Sequence, residues 1–141
     1  MLTAIDTNII SALWSKEPAS EGVAASLFAA RQQGALVLCA VVQCGLLAYP
    51  GASPRFVQKF LEVTDIQVHY ALSEMVWQTA GEAFAAYARR RREDKAGQPK
   101  RLLADFIVGA HALHAADRLL TLDAKRYLTS FPTLEVIGRE G

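Results

Sequence analysis

Three aspartates lie next to or within hydrophobic stretches of the sequence, so their carboxylates are expected to be partly buried. Asp6 and Asp123 each follow a short hydrophobic run directly, and Asp105 lies inside the hydrophobic segment 103–108. A charge among such neighbours is costly unless something pairs with it. Carboxylates that meet at one place repel one another, and a divalent cation relieves that repulsion. Because oxygen ligands of this kind suit Mg²⁺ or Mn²⁺, the pattern indicates a candidate metal site.

Each aspartate also has an ordinary structural explanation. Asp6 can cap the helix that follows it. Asp105 can complement the dipole of its own helix, and Asp123 can be a turn residue. Spacing alone leaves these alternatives open. Whether the three carboxylates meet depends on the strands and helices that carry them.

Short hydrophobic runs alternate with amphipathic segments along the chain. The runs predict strands at 2–5, 36–39, 67–70, 118–122 and 134–137. Helical spacing, caps and breakers predict helices at 20–33, 41–48, 54–62, 73–92 and 101–116, with a polar loop at 94–99. The alternation predicts an α/β fold in which a mostly parallel sheet lies between helical layers. The length of 141 residues fits a single domain over 1–141, and ligands gather at the carboxyl ends of such strands.

The residues around the aspartates resemble the PIN-domain family, and in particular its VapC toxins. The similar segments are IDTN at 5–8, ADFIVGAHA at 104–112 and ADRLLTLD at 116–123, followed by the tail 127–137. The resemblance covers essentially the whole chain. It implies a three-layer PIN-like fold and a metal-dependent endoribonuclease that cleaves RNA phosphodiester bonds with Mg²⁺ or Mn²⁺.

The resemblance also assigns residues, position by position. The metal-binding and catalytic acids that it implies are Asp6, Asp105 and Asp123. The supporting polar positions that it implies are Thr7, Asn8 and Thr121. Asp117 receives less weight, because it precedes its strand and is expected at the opposite edge of the sheet.

One position departs from the family pattern. The family usually carries a glutamate in the short helix after the second strand, and Gly45 occupies that position here. Gln43 points roughly 200° away around a helix and cannot replace the missing acid. A glycine within a helix costs about 1 kcal/mol relative to alanine, so folding does not explain it. An introduced inactivating change, natural degeneration and a ligand replaced by water all remain open.

Concentrated positive charge lies between residues 89 and 101. We predict that its members nearest Asp105 in sequence contact RNA phosphates, namely Arg91, Arg92, Lys100 and Arg101. The alternative is a solvated helix end, where arginine complements the helix dipole. No aromatic stacking platform accompanies the run, so base specificity is not predicted.

Bulk composition narrows the setting. The chain carries 15 Lys and Arg against 14 Asp and Glu, for a net charge of +1, so any nucleic-acid surface has to be local. No hydrophobic run approaches the ~20 residues of a membrane span, and we expect a cytoplasmic protein with no membrane partner. Cys39 and Cys44 are then expected to be reduced and buried. The aromatic residues are expected mostly in the core, with some lining a groove between helices.

The family resemblance further implies a cognate VapB-type antitoxin, whose C-terminal segment enters such a groove, and a homodimer.

Two other classes of protein are alternatives to a nuclease toxin. A phosphoacceptor receiver domain is disfavoured, because Asp6 is followed by Thr7 and Asn8 where paired acids are expected. A catalytically inactive PIN-fold protein that only binds antitoxin or RNA remains the alternative, because Gly45 removes an acid.

Overall fold

Strands and helices alternate through the chain. The structure is a computed structural model that describes residues 1–94 and 100–138. Its strands are β1 (Thr3–Ile5), β2 (Leu36–Cys39), β3 (Ile66–His69), β4 (Arg118–Leu120) and β5 (Val136–Ile137). Its helices are α1 (Thr7–Ser15), α2 (Ala19–Gln33), α3 (Ala40–Leu46), α4 (Pro54–Thr64), α5 (Glu74–Glu93), α6 (Leu103–Ala115) and α7 (Ala124–Ser130). Among the described residues, no helix is both long and hydrophobic enough to cross a membrane.

The strands form one sheet in the order β3-β2-β1-β4-β5, and every described pairing is parallel. All residues of β1, β2 and β4 are buried, as expected for strands covered by helices on both faces. The predicted α/β fold with a mostly parallel, helix-flanked sheet is therefore confirmed. Because the strands run the same way, their carboxyl ends lie along one edge.

The register of β1 decides which residues meet at that edge. Ile5 is paired with Leu120 of β4, so the next residues along each chain, Asp6 and Thr121, are brought side by side. On the other side Ala4 is paired with Val37 of β2. Helix α3 starts directly after β2, so the helix that contains Gly45 begins at the same edge.

Several predicted boundaries were wrong, and two helices had no predicted range: α1, which was expected only as a helix that Asp6 could cap, and α7, which was not predicted. The strand expected at 118–122 ends at Leu120, and the last strand is only Val136–Ile137 rather than 134–137. The chain leaves β4 early because the side chain of Asp123 accepts a hydrogen bond from the backbone N–H of Arg126 and so begins α7. Most of the predicted polar loop, residues 95–99, lies outside the described residues.

Helix α6 is packed on nearly all sides, as its sequence predicts. A Cβ atom at Gly109 would come within 2.3 Å of the Phe131 ring, so only glycine permits this close approach. On another side of the helix, Phe106 packs against the rings of Phe84 and Tyr87 on α5. These contacts fix α6, and with it Asp105 in its first turn.

The aromatic residues are less buried than predicted. Phe28, Phe56 and Trp77 are 66%, 46% and 51% exposed, although they were expected mostly in the core. Trp14 is largely covered, because it packs edge-on against several rings of the neighbouring segments, namely those of Tyr49, Phe56 and Phe60. Cys39 is buried as expected, whereas Cys44 is exposed, and both are free thiols.

A histidine pair, of which His111 is buried and His69 half-buried, joins α6 to the edge strand β3. Nδ1 of His69 lies 3.0 Å from Nε2 of His111, and His111 is completely buried. Burial, helped by the neighbouring His69, lowers the pKa of His111 to about 4. His111 is therefore neutral in the folded protein at neutral pH, and its charged form is disfavoured.

We expect this histidine to make the fold sensitive to acid. Its folded pKa lies below the unfolded value of about 6.5, so its contribution to stability is present above that pH and is lost as the pH falls toward 4. Between pH 7.5 and 4.5, urea unfolding should show the wild type losing about 2 kcal/mol more than His111→Leu. The exposed His114 supplies the control, since His114→Leu should follow the wild type. Equal losses in all three proteins would contradict this account.

Candidate active site

Asp6 is the most deeply buried of the three predicted acids, with 4% of its surface exposed. One carboxylate oxygen accepts a hydrogen bond of 2.8 Å from the backbone N–H of Thr7, so Asp6 caps α1. The other accepts 2.7 Å from the hydroxyl of Thr121. Burial raises the pKa of Asp6, and the hydrogen bonds and the nearby charge of Arg126 offset this only in part. The buried carboxylate is thus incompletely compensated, which suits the binding of a further cation.

A polar network fixes the loop that joins β4 to α7. The Thr121 hydroxyl donates to Asp6 and accepts from the Asn8 amide at 3.3 Å and from the Asp123 backbone N–H at 3.1 Å. The Asn8 side-chain oxygen accepts from the backbone N–H of Leu122 at 3.1 Å. The predicted supporting residues Thr7, Asn8 and Thr121 therefore all contact predicted acids or the loop that carries them.

Asp105 and Asp123 occupy the first turn and the cap of their helices. One oxygen of Asp105 accepts a 3.3 Å hydrogen bond from the backbone N–H of Leu102, at the start of α6. Asp123 accepts a 3.2 Å hydrogen bond from the backbone N–H of Arg126, at the start of α7. Like Asp6, both carboxylates lie at the positive end of a helix dipole. The structural explanations expected for Asp6 and Asp105 are confirmed, whereas Asp123 is a helix cap rather than the turn residue that was expected. These local roles exist alongside the gathering of the three acids.

Arg126 lies within ion-pair distance of all three acids. Its guanidinium nitrogens are 3.6 Å from Asp6 Oδ2, 3.8 Å from Asp105 Oδ2 and 3.4 Å from Asp123 Oδ2. Because one guanidinium group reaches three carboxylates, the acids converge on a single place. Asp117, by contrast, accepts a hydrogen bond from the backbone N–H of Leu2, at the opposite end of β1.

The charge on Arg126 is retained despite its partial burial. Burial alone disfavours the guanidinium, but its interactions with Tyr127, Asp105 and the other two acids outweigh this and raise the pKa of Arg126. The buried hydroxyl of Tyr127 lies close to Asp6, and burial together with that negative charge raises the pKa of Tyr127. Both groups keep their protons at neutral pH, so Arg126 stays positively charged and Tyr127 stays a neutral phenol beside the acids.

The sequence reasoning missed Arg126. Its signal was the spacing of three residues from Asp123, which places the two side chains on the same face of a helix. Because α7 was not predicted, the spacing could not be used to place the Arg126 side chain beside Asp123.

The oxygen atoms of the three aspartates are chemically suited to bind a hard divalent cation. All three side chains supply carboxylate oxygens, the ligands that Mg²⁺ and Mn²⁺ prefer. Within residues 1–94 and 100–138, however, no three His, Cys, Asp or Glu side chains stand in an arrangement that could hold a metal ion without adjustment. The three carboxylates face the guanidinium of Arg126 instead.

Gly45 lies on α3 beside the residue that follows Asp6. A Cβ atom there would meet only the Thr7 side chain, at 3.6 Å from Oγ1 and 3.7 Å from Cγ2. These are ordinary contact distances, and the position is exposed. A longer side chain at residue 45 therefore has room next to the acids.

The predicted basic surface lines a cleft of about 530 Å³. Its charged lining residues are Arg91, Arg92, Lys100 and Arg101, and Phe84 and Tyr87 form its apolar wall. The backbone N–H of Arg101 donates to the Tyr87 hydroxyl at 2.6 Å, while its guanidinium lies 3.8 Å from Asp123. Arg101 thus connects the cleft with the acids.

The fold and the acid cluster agree with the family assignment. The PIN domain family matches residues 3–131, which is most of the chain, and the chain therefore belongs to the PIN domain family. PIN domains are in general nucleases, and they typically use divalent metals. No curated protein sequence matches the chain significantly.

Solved structures with the same fold come from VapBC and FitAcB proteins. A chain of VapBC2 from Rickettsia felis, bound to a DNA fragment from its promoter, superposes with a TM-score of 0.71 at 17% identity, covering 98% of both chains. VapBC-1 from nontypeable Haemophilus influenzae gives a TM-score of 0.66 at 19% identity, also covering 98% of both. FitAcB from Neisseria gonorrhoeae gives 0.63 at 19% identity and covers 96% of both. At these identities the likeness establishes the fold.

We expect that an acid restored at Gly45 strengthens metal binding. In Gly45→Glu the new carboxylate would extend past Thr7 toward Asp6, so Mn²⁺ affinity measured by calorimetry should rise, and RNA cleavage should rise with it. Gly81→Glu is a matched control, because Gly81 is an exposed glycine of α5 with no atoms near its Cβ position. If both variants behave like the wild type, position 45 does not belong to the site.

Proposed function

We propose that this chain is a VapC-type endoribonuclease, a single PIN domain over residues 1–141 that hydrolyses RNA phosphodiester bonds with Mg²⁺ or Mn²⁺. One observation carries the proposal: Asp6, Asp105 and Asp123 all reach the same guanidinium group, at the carboxyl edge of the sheet. Three carboxylates gathered at one point serve no packing purpose, and a PIN fold with such a cluster has the parts of a metal-dependent nuclease.

Asp6, Asp105 and Asp123 would hold the metal. A bound divalent ion lowers the pKa of a coordinated water and stabilises the charge that develops on the phosphate. In the hydrolysis, the water oxygen forms a new P–O bond while the bond to the leaving oxygen breaks. Thr121 and the backbone of Thr7 fix the two oxygens of Asp6, so that carboxylate is oriented before any ligand arrives.

The basic cleft would guide RNA to the acids. Arg91 and Arg92 are exposed at the end of α5, and Arg101 continues the positive charge to Asp123. Phosphate contacts of this kind position a strand without reading its sequence. The cleft therefore supports binding of single-stranded or structured RNA by its backbone.

A protein partner is the second part of the proposal. We propose a cognate VapB-type antitoxin and a homodimer, because the chain has the fold of proteins solved as VapBC. Large hydrophobic side chains are exposed on several helices and would be covered by such partners, namely those of Phe28, Phe56, Met75 and Trp77. The free thiols of Cys39 and Cys44 suit our proposed cytoplasmic setting.

The alternative is a PIN-fold protein that binds antitoxin or RNA without cleaving it. Gly45 stands where the family usually has an acid, and Arg126 lies among the remaining three. Both features would weaken metal binding, and this gives the alternative a specific basis in the structure.

RNA cleavage with defined metals tests the proposal. With Mg²⁺ or Mn²⁺ the wild type should cleave a mixed RNA pool, and excess EDTA should abolish cleavage. Asp105→Asn should lose more than the roughly 10–100-fold that removal of a group supporting a metal ligand costs. The control is Asp65→Asn, which removes an exposed acid from a surface pair with Arg31 and should change little.

Two outcomes would contradict the proposal. Cleavage that persists in EDTA, or that Asp105→Asn retains in full, would remove the metal mechanism. RNA binding without cleavage at any metal concentration would favour the binding-only alternative.

The basic cleft generates a separate prediction about salt. Each phosphate contact contributes about −0.7 to the slope of log affinity against log salt concentration on single strands. Replacing Arg91 and Arg92 together with Ala should therefore flatten that slope by about one unit or more and weaken binding nearly equally across RNA sequences. Fold stability should hardly change, because both side chains are exposed.

A matched double variant controls for total charge. Arg55 and Lys59 are exposed on α4 and line a different groove. Replacing both with Ala should leave the salt slope close to that of the wild type. An unchanged slope in the Arg91 and Arg92 variant would mean that RNA reaches the acids over another surface.

A further inference from the structure

Arg126 lies where a bound cation would be expected. Its distances of 3.4–3.8 Å to the three acids are longer than the 2.7–2.9 Å of a charge-assisted hydrogen bond. Its Nε atom is buried and has no hydrogen-bond partner among the described residues. The guanidinium is therefore held mainly by electrostatic attraction to the three carboxylates, and its hydrogen-bond donors are not all satisfied.

We infer that Arg126 is a built-in counter-cation of the acid cluster, which competes with the divalent ion for the carboxylates and supplies the second positive group of a one-metal site. This inference rests on the proposed function, because it concerns the same acids. It assigns to Arg126 a role in the site that neither the fold nor the family match specifies.

Charge balance supports the assignment. The three carboxylates carry −3, and among the described residues Arg126 is the cation within 4 Å of all three, so one divalent ion with Arg126 would supply +3 to them. Of these acids, Arg101 pairs only with Asp123, which is the most exposed of the three. A second divalent ion would leave excess positive charge, because Gly45 supplies no fourth acid. The chain therefore has the ligands for one metal ion, and Arg126 supplies the positive charge that a second ion would otherwise bring.

The position of Arg126 in the chain suits this role. Asp123 caps α7 through the backbone N–H of Arg126, so the same residue pair is joined by a hydrogen bond and an ion pair. The guanidinium also lies 5.3 Å from the ring centroid of Tyr127. The backbone hydrogen bond fixes the start of the residue. Under the inference the guanidinium exchanges its long contacts with the acids for an RNA phosphate when a metal ion binds.

Removal of this charge should tighten metal binding. Arg126→Gln should bind one Mn²⁺ ion about tenfold more tightly or better in calorimetry, because a positive charge within 4 Å of the ligands is lost. Without metal the variant should melt at a lower temperature than the wild type, and Mn²⁺ should raise its melting temperature by more. Arg126→Lys keeps the charge and should bind Mn²⁺ nearly as the wild type does.

RNA cleavage should move in the opposite direction. If Arg126 supplies the second positive group, Arg126→Gln should cleave RNA more slowly at saturating Mn²⁺ although it binds the ion more tightly. A residue with only a structural role would lower both quantities. The neighbouring Lys125→Gln is the control, because Lys125 is exposed and forms no ion pair with the described acids; its Mn²⁺ affinity should stay within about twofold of wild type.

The wild type offers a test that does not depend on a folded variant. The ¹⁵N resonance of Arg126 Nε should shift as Mg²⁺ is added, in step with metal occupancy, because the ion displaces the guanidinium from the acids. A resonance that stays unchanged while metal binds overturns the inference, as does equal or weaker Mn²⁺ binding by a folded Arg126→Gln. If neither the wild type nor Arg126→Gln binds Mn²⁺, the proposed metal site itself fails.

Discussion

Like charges held close together repel, and Asp6, Asp105 and Asp123 all lie within 4 Å of the same guanidinium group. Three carboxylates that share one guanidinium repel one another, and partial exclusion of water strengthens that repulsion unless positive charge balances it. Burial adds to the cost at Asp6, whose pKa is raised. Arg126, the helix dipoles and, at Asp123, the guanidinium of Arg101 oppose this repulsion.

The fold meets that requirement through its topology. Parallel strands bring their carboxyl ends to one edge, and the register of β1 with β4 sets Asp6 next to Thr121. Each acid also lies at the start of a helix, where unpaired backbone N–H groups and the dipole favour negative charge. At Asp6 and Asp123 the capping contact and the place in the cluster have one cause, because a strand ends and a helix begins there, whereas Asp105 is brought in by the start of α6 after a loop.

Much of this arrangement could be predicted from local sequence. Hydrophobic runs predicted the strands, and the acids at their ends predicted which edge to inspect, because strand direction follows from the alternation with helices. The convergence on Arg126 could not be predicted, because it depends on α7, which starts only when the Asp123 side chain caps it. Exposure of Phe28 and Trp77 was also missed, since residue type alone does not reveal which helix face lacks a neighbour.

Crystals of the protein soaked in Mn²⁺ would show whether the three acids form one cation site. Anomalous scattering at the manganese edge locates the ion without reference to activity or sequence. We expect a single peak per chain, coordinated by carboxylate oxygens of Asp6, Asp105 and Asp123, with the Arg126 guanidinium turned away from its metal-free position. A chain that shows no peak at these acids, or a peak held by other residues while Arg126 stays among the three carboxylates, would contradict this expectation.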